Sequence, residues 1–126
     1  MKPKLNFAHV CDQVIVAQDT NNVTLVNLFN EIRSKNFPAI HPRFSIISNT
    51  SGPEGKYKQE IEIIDPDGNL VASSQGEVVY SGSGPNNFIV NFINFIFQKQ
   101  GKYSVRIKIG EDILQEEAAS ILVKQV

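Results

Sequence analysis

The chain of 126 residues has one cysteine and no tryptophan. A single thiol, Cys11, can form neither a disulfide within the chain nor a cysteine-rich zinc site, and it suits a reducing compartment. Net charge is also nearly absent, because 12 Lys and Arg residues balance 13 Asp and Glu residues. Nucleic-acid binders gather phosphates with a basic field that this chain lacks. We therefore expect no nucleic-acid partner.

Long hydrophobic runs are missing as well. The most apolar segment, residues 88–97, is short and contains Asn91 and Asn94, whereas a membrane helix needs about 20 apolar residues. The positively charged start of the chain leads into residues 5–9, which polar side chains interrupt, so it does not match a signal peptide. The sequence predicts a cytoplasmic protein with no membrane partner.

What the sequence has instead is strict alternation, clearest in residues 101–110. One face of this segment carries Tyr103, Val105, Ile107 and Ile109, and the other carries Lys102, Ser104, Arg106 and Lys108. A strand with one apolar and one polar face is typical of an antiparallel sheet that is buried on one side. This segment indicates a β-sheet protein.

Turn-forming residues divide the chain into eight predicted strands. These strands cover residues 5–17, 23–32, 43–48, 57–64, 70–80 with a break at Gly76, 88–97, 101–110 and 113–123. Residues 88–97 also fit a helical period through their Phe and Ile residues, but their β-branched content favours a strand. We predict one all-β domain over residues 1–126, an antiparallel, immunoglobulin-like two-sheet β-sandwich of about seven or eight strands.

The sequence also predicts the character of three connections between strands. Residues 65–69 form a hairpin turn in which Pro66 fixes one dihedral angle and Gly68 can take a positive φ. Residues 34–42 form a crossing loop, because Pro38 and Pro42 suit neither a helix interior nor a central strand. Residues 49–55 form an exposed turn.

The run Gln98-Lys99-Gln100-Gly101-Lys102-Tyr103 resembles the tyrosine corner of immunoglobulin-like sandwiches. The resemblance implies that Gly101 and Tyr103 are structural and that the phenol bonds a nearby backbone group. Val105 stands where antibody-type domains have a cysteine, and those domains also have a tryptophan. Only the architecture of the sandwich therefore carries over to this chain.

A longer resemblance rests on the order of several short motifs. These are Ala8-His9-Val10-Cys11-Asp12, residues 25–29, Phe37-Pro38, Asp65-Pro66-Asp67-Gly68 and Gly101-x-Tyr103. Together they are similar to a family of small, uncharacterised bacterial β-sandwich proteins, the DUF6941-like proteins. The resemblance implies an intracellular sandwich and no assigned activity.

The predicted binding residues are Phe37, His41 and Arg43 on the proline-stiffened loop, together with Asp12. An aromatic ring, an imidazole and a guanidinium on one stiff loop are a composition that interfaces favour. The structural alternative is that Phe37 closes one end of the sandwich and Arg43 pairs with a carboxylate such as Asp12.

Catalytic and metal sites find weaker support. His9 and Cys11 share one face of a strand and Asp12 lies on the other, but zinc needs three or four ligands, so no metal or cofactor is predicted. Glu60 and Glu62 are assigned to a solvated face. The glycine-containing loops at residues 52–56 and 81–87 lack the spacing of phosphate-binding motifs.

We predict a non-catalytic interaction module that binds a protein partner or forms a homodimer. Two sets of charged residues would guard an edge strand against aggregation while leaving it able to pair. These sets are Lys58, Glu60 and Glu62, and Lys102, Arg106 and Lys108. The alternatives are a structural sandwich of a phage or virion, and a small hydrolase that uses Cys11 and His41.

Overall fold

The structure, a computed structural model, describes residues 2–82 and 84–126. These residues form nine β-strands and no helix. In chain order the strands are β1 (Lys4–Val16), β2 (Val23–Leu28), β3 (Glu31–Ser34), β4 (Ala39–Ser51), β5 (Gly55–Ile64), β6 (Leu70–Tyr80), β7 (Asn86–Phe97), β8 (Gly101–Ile109) and β9 (Asp112–Gln125). Ser83, part of the predicted loop over residues 81–87, lies outside the described residues.

The strands form two sheets. The four-stranded sheet is antiparallel, in the order β2–β1–β4–β7. The five-stranded sheet has the order β3–β9–β8–β5–β6 and is mixed, because β3 runs parallel to β9. The predicted all-β fold of two sheets is confirmed, with nine strands in place of seven or eight and one parallel pairing.

Side chains from both sheets form the main core, and Val78, Tyr80 and Ile109 form a second, smaller cluster. Phe44 and Ile46 of β4 meet Val105 and Ile107 of β8 in the main core, and all four are fully buried. The predicted alternation of β8 is confirmed, since Tyr103, Val105, Ile107 and Ile109 are all buried. Packing of apolar side chains between the sheets is the main stabilising contribution to such a fold.

Residues 88–97 are a strand, as predicted, and the source of their helical spacing is Asn94. This residue has a φ of 52°, in the left-handed region that interrupts extended backbone. Phe92 and Phe95, on either side of it, therefore both pack against Phe44, with ring centroids at 5.0 and 5.6 Å. In an uninterrupted strand, side chains three positions apart would face opposite sides.

The strand predicted over residues 23–32 is wrong in its extent, because it is two strands in different sheets. β2 ends at Leu28 and pairs with β1, whereas β3 starts at Glu31 and pairs with β9. Between them, the Phe29 amide donates to the Val10 carbonyl and the Asn30 carbonyl accepts from the Leu122 amide. These two hydrogen bonds join the segment to β1 of the four-stranded sheet on one side and to β9 of the five-stranded sheet on the other.

The crossing loop predicted over residues 34–42 is also wrong in its extent, because β4 begins at Ala39 and includes Pro42. A proline is tolerated there because β1 pairs with β4 only as far as the Cys11–Ser45 pair. Beyond that pair β4 has a single neighbour, β7, so Pro42 lies where β4 is an edge strand. At its other end β4 continues to Ser51, which shortens the predicted turn over residues 49–55.

The break predicted at Gly76 is absent, and β6 is continuous. Gly76 serves packing there, because a Cβ atom at this position would lie 2.8 Å from the ring of Phe88 in β7. The hairpin predicted over residues 65–69 is confirmed. It joins β5 to β6 with Gly68 at a φ of 89°, and the Gly68 amide donates to the Asp65 carbonyl.

Candidate interaction surface

Charge is divided unequally between the two sheets. The five strands of the five-stranded sheet contain 14 Asp, Glu, Lys and Arg residues. The four strands of the other sheet contain three, namely Lys4, Asp12 and Arg43. Strands β2 and β7, its two edges, contain none. The two outer faces of the sandwich therefore offer different surfaces to a partner.

The outer face of the five-stranded sheet pairs its own charges. Arg106 Nε lies 2.8 Å from Glu62 Oε1, and its Nη1 lies 3.6 Å from Glu116 Oε2. Glu62 is only 5% exposed, which corrects the prediction that it lies on a solvated face. The hydrogen bond from Arg106 to Glu62 raises the pKa of the guanidinium. Lys102 also pairs with Glu117 on this face, and its hydrogen bond lowers the pKa of the Glu117 carboxyl.

These charged strands guard no edge, which corrects the sequence-based prediction. β5 and β8, which carry both predicted sets of charges, are neighbours in the interior of the five-stranded sheet. Cross-strand pairing explains their alternating signs, because Glu62 of β5 lies opposite Arg106 of β8 and Glu60 lies opposite Lys108.

The four-stranded sheet presents a row of uncharged side chains across its width. Val10, Ile46 and Val90 of this sheet belong to the core, so the residues that follow Val10 and Val90 and precede Ile46 point outward. One outward row, from β2 to β7, consists of Leu28, Cys11, Ser45 and Asn91. We call the outward side of this sheet, from this row to Phe7 and Ile93, the outer face.

The middle of the outer face is closed by its own contacts. Cys11 and Ser45 are buried, and Ser45 Oγ donates to Asn91 Oδ1 at 2.5 Å. Burial raises the pKa of the Cys11 thiol. The next row contains His9, Ile47 and Ile89, with Ile47 fully buried between its neighbours. The face is thus packed at its centre without any charged residue.

Amide side chains cover one end of the outer face. Asn6 Nδ2 donates to Asn49 Oδ1 at 3.0 Å, and Asn49 Nδ2 donates to Asn87 Oδ1 at 2.7 Å. Beside them the ring of Phe7 stacks on His9 at 5.3 Å. This end of the face is polar but neutral.

Large aliphatic side chains are exposed at the other end. Ile93 of β7 is 74% exposed, and the cross-strand pair Ile40 and Ile96 is 64% and 48% exposed. All three lie on β4 and on its neighbour β7, the edge strand. β7 has no charged residue and no proline in its 12 residues. Natural edge strands normally carry such residues to prevent pairing with another chain.

Two of the predicted binding residues, Asp12 and Arg43, lie close together. With Gln13 and Pro42 they line a depression of about 300 Å³ where β1 and β4 diverge. The predicted alternative of an Arg43–Asp12 ion pair is not formed. Asp12 Oδ2 accepts a hydrogen bond from Asn27 at 2.8 Å, and Arg43 has no ion pair among the described residues.

The other two predicted residues face the core. The ring of His41 lies 5.6 Å from that of Phe29 and 5.8 Å from that of Phe44. Phe37 is partly buried and packs against the main core. The four predicted residues therefore do not form one site.

The candidates for catalysis are also divided. His9 and Cys11 share the outer face, as predicted from their spacing, whereas His41 packs among core aromatics. Within residues 2–82 and 84–126, no three His, Cys, Asp or Glu side chains are grouped so that they could hold a metal ion. No helix in these residues is long and apolar enough to cross a membrane.

Tyr103 and Gly101, two of the residues predicted to be structural, contact other parts of the fold. The Tyr103 hydroxyl donates to the Lys99 carbonyl at 2.9 Å, and burial raises the pKa of this phenol. Gly101 has a φ of 133° and contacts Pro66 of the β5–β6 turn. The outer face, in contrast, was missed, although the absence of charge over residues 86–97 was a visible signal.

A family model described as "Family of unknown function (DUF6941)" matches residues 6–122. The match covers all nine strands apart from the first residues of β1 and the last residues of β9. No curated protein matches the chain.

Proposed function

The chain belongs to the DUF6941 family, whose function is unknown, and we propose that it is a non-catalytic interaction module that self-associates through its four-stranded sheet. The observation that carries this proposal is the division of charge, with three charged residues on the strands of this sheet and 14 on the strands of the other. The cores of protein interfaces are depleted in charged residues in the same way.

Desolvation explains why this sheet suits an interface. Burying a charge without a partner costs several kcal/mol, on the order of the whole stability of a weak complex. The outer face and β7 can be covered at little such cost, because Arg43 is the one charged residue beside Ile93. Exposed aliphatic area then contributes about 25 cal/mol per Å² on burial.

A second copy of the chain is the partner that this surface fits. The two β7 strands carry no charge, so two copies can approach without repulsion between like charges. A strongly charged partner would find no complementary charge there. The exposed edge of β7 also offers unpaired backbone groups that an identical strand can satisfy.

The proposal that the module is not an enzyme has separate support. The thiolate is the reactive form of cysteine, and burial of Cys11 raises the pKa of its thiol. His41, the base of the alternative hydrolase, packs against Phe29 and Phe44. A buried cysteine without a disulfide partner also supports a reducing compartment such as the cytoplasm as the location.

Sedimentation over a range of concentrations tests self-association. We expect a reversible dimer for the wild type. For Ile93→Lys we expect the dissociation constant of the dimer to rise about tenfold or more, because a charge would be buried in the interface. Ile113→Lys is the matched control, since Ile113 is 46% exposed on β9 of the other sheet.

Circular dichroism would verify that both variants fold. A wild type that stays monomeric at every concentration overturns the proposal, and so does a dimer that Ile93→Lys and Ile113→Lys weaken equally.

A further inference from the structure

We propose that two copies pair their β7 strands antiparallel about a two-fold axis at Asn91, which joins the two four-stranded sheets into one sheet of eight strands. This inference rests on the proposed function and specifies the geometry of the dimer. Each β7 would then have β4 on one side and the β7 of the second copy on the other.

β7 is the edge best suited to such pairing. β3 has four residues, two of them charged, and β2 is interrupted by Asn27, whose φ is 54°. β6 carries Glu77. β7 has neither charge nor proline, and its interruption at Asn94 lies near one end, which leaves residues 86–93 as regular strand.

The outward side chains of β7 fix the register. With the axis at Asn91, Ile93 of each copy lies opposite Ile89 of the other, and the two Asn91 side chains face each other. Moving the axis to Val90 would place Ile93 opposite Asn87. Moving it to Phe92 would place Ile93 opposite Asn91. Of these three registers, only the one centred on Asn91 pairs Ile93 with an apolar side chain and Asn91 with an amide side chain.

Asn91 is prepared for a symmetrical contact. Its Oδ1 accepts a hydrogen bond from Ser45, and its Nδ2 has no hydrogen-bond partner among the described residues. The side chain is exposed on the monomer. Across the axis each Nδ2 can donate to the second lone pair of the other Oδ1, since an amide oxygen accepts two hydrogen bonds.

Neighbouring rows would continue across the new pairing. Ile47 and Ile89 lie side by side in one copy, and Ile93 of the second copy would extend this apolar row. Ile93, 74% exposed in the monomer, would thereby be covered. The same contact occurs twice, as the two-fold symmetry of an isologous interface requires.

Cysteine cross-linking tests this register. Cα atoms directly opposite each other in an antiparallel pair lie about 4.5–5.5 Å apart, within the range of a disulfide. Under mild oxidation Asn91→Cys should therefore form a covalent dimer. Asn87→Cys is the control, because its two thiols would be offset by eight residues, about 27 Å along the strands. The wild type, whose Cys11 is buried, serves as the blank.

A second experiment uses two different variants. A mixture of Ile89→Cys and Ile93→Cys proteins should form a mixed covalent dimer in preference to either homodimer. If sedimentation shows a dimer but neither Asn91→Cys nor the mixture cross-links, the edge pairing is wrong and the proposed self-association stands. Cross-linking of Asn87→Cys as fast as Asn91→Cys also refutes this register. If no dimer forms at all, both proposals fail together.

Discussion

The ring of Pro66 fills the space that a side chain at position 101 would need. A Cβ atom on Gly101 would lie 2.5 Å from Cγ of Pro66 and 2.8 Å from its Cβ. The contact holds the β5–β6 turn against the start of β8. Tyr103, two residues further along β8, bonds the Lys99 carbonyl and packs edge-on to Phe97 at 5.0 Å. These contacts therefore link the β5–β6 turn to the connection between β7 and β8.

We expect Gly101→Ala to lower the free energy of unfolding by about 1–3 kcal/mol, because it adds a clash with a rigid ring to an unfavourable positive φ. Urea denaturation measures the loss. Gly84→Ala is the matched control, since Gly84 has a similar φ, 128°, but no atom within 4 Å of its added Cβ. Equal losses in the two variants would show that Pro66 does not restrict position 101.

Arg106→Met should destabilise the fold by about 2 kcal/mol, because it leaves the Glu62 carboxylate, 5% exposed, without its cation. Thermal denaturation at neutral pH provides the comparison. Lys102→Met, which removes an exposed ion pair with Glu117, is expected to have a much smaller effect. Similar melting temperatures for the two variants would contradict this interpretation of Glu62.

Ser48 and Gln59 form a buried polar contact between the sheets. Gln59 Nε2 donates to Ser48 Oγ at 2.7 Å, and both residues are fully buried. Ser48→Ala should cost about 1–3 kcal/mol, since the amide loses its partner. The double variant Ser48→Ala/Gln59→Leu should recover part of this loss. A double variant whose loss equals the sum of the two single losses would exclude coupling.

Alkaline pH should destabilise the protein through Tyr103 and Tyr80. Burial raises the pKa of both phenols in the folded state, so the unfolded chain releases these protons first. The stabilisation from each neutral phenol is fully present below about pH 10, the pKa of an unfolded tyrosine, and is lost as the pH rises further. Urea midpoints measured from pH 8 to 11 should fall less in Tyr103→Phe than in the wild type. An identical fall would contradict this assignment.

Local patterns were sufficient for much of the fold. The alternation of β8 and the turn at Pro66 and Gly68 are set by residues near in sequence, and both predictions are confirmed. The helical spacing of residues 88–97 also has a local cause, the φ of 52° at Asn94. A single asparagine in the sequence is not enough to predict such a backbone angle. Its conformation becomes clear only from the packing of Phe92 and Phe95.

Other features depend on partners far away in sequence. The division of residues 23–32 into two strands follows from two backbone hydrogen bonds. The Phe29 amide donates to the Val10 carbonyl, and the Leu122 amide donates to the Asn30 carbonyl. β4 tolerates Pro42 because pairing with β1 ends at Ser45 and does not reach residue 42. No window of sequence around either segment contains these partners.

The candidate surface could not be predicted from the sequence for the same reason. The lack of charge over residues 86–97 could be read from the sequence, but it acquires meaning only because β7 is an edge strand beside β4. Likewise, the charges of β5 and β8 suggest an edge strand in the sequence, but the strand order places both strands in the interior of their sheet. Strand order is a tertiary property that local alternation does not determine.

Amide hydrogen exchange, followed by NMR as a function of protein concentration, tests the central claim most directly. If the sandwich self-associates through the four-stranded sheet, the β7 amides that face away from β4 exchange more slowly as the concentration rises, while the edge amides of β6 do not change. Exchange in β7 that is independent of concentration, or slowing of equal size in β6, would contradict the account.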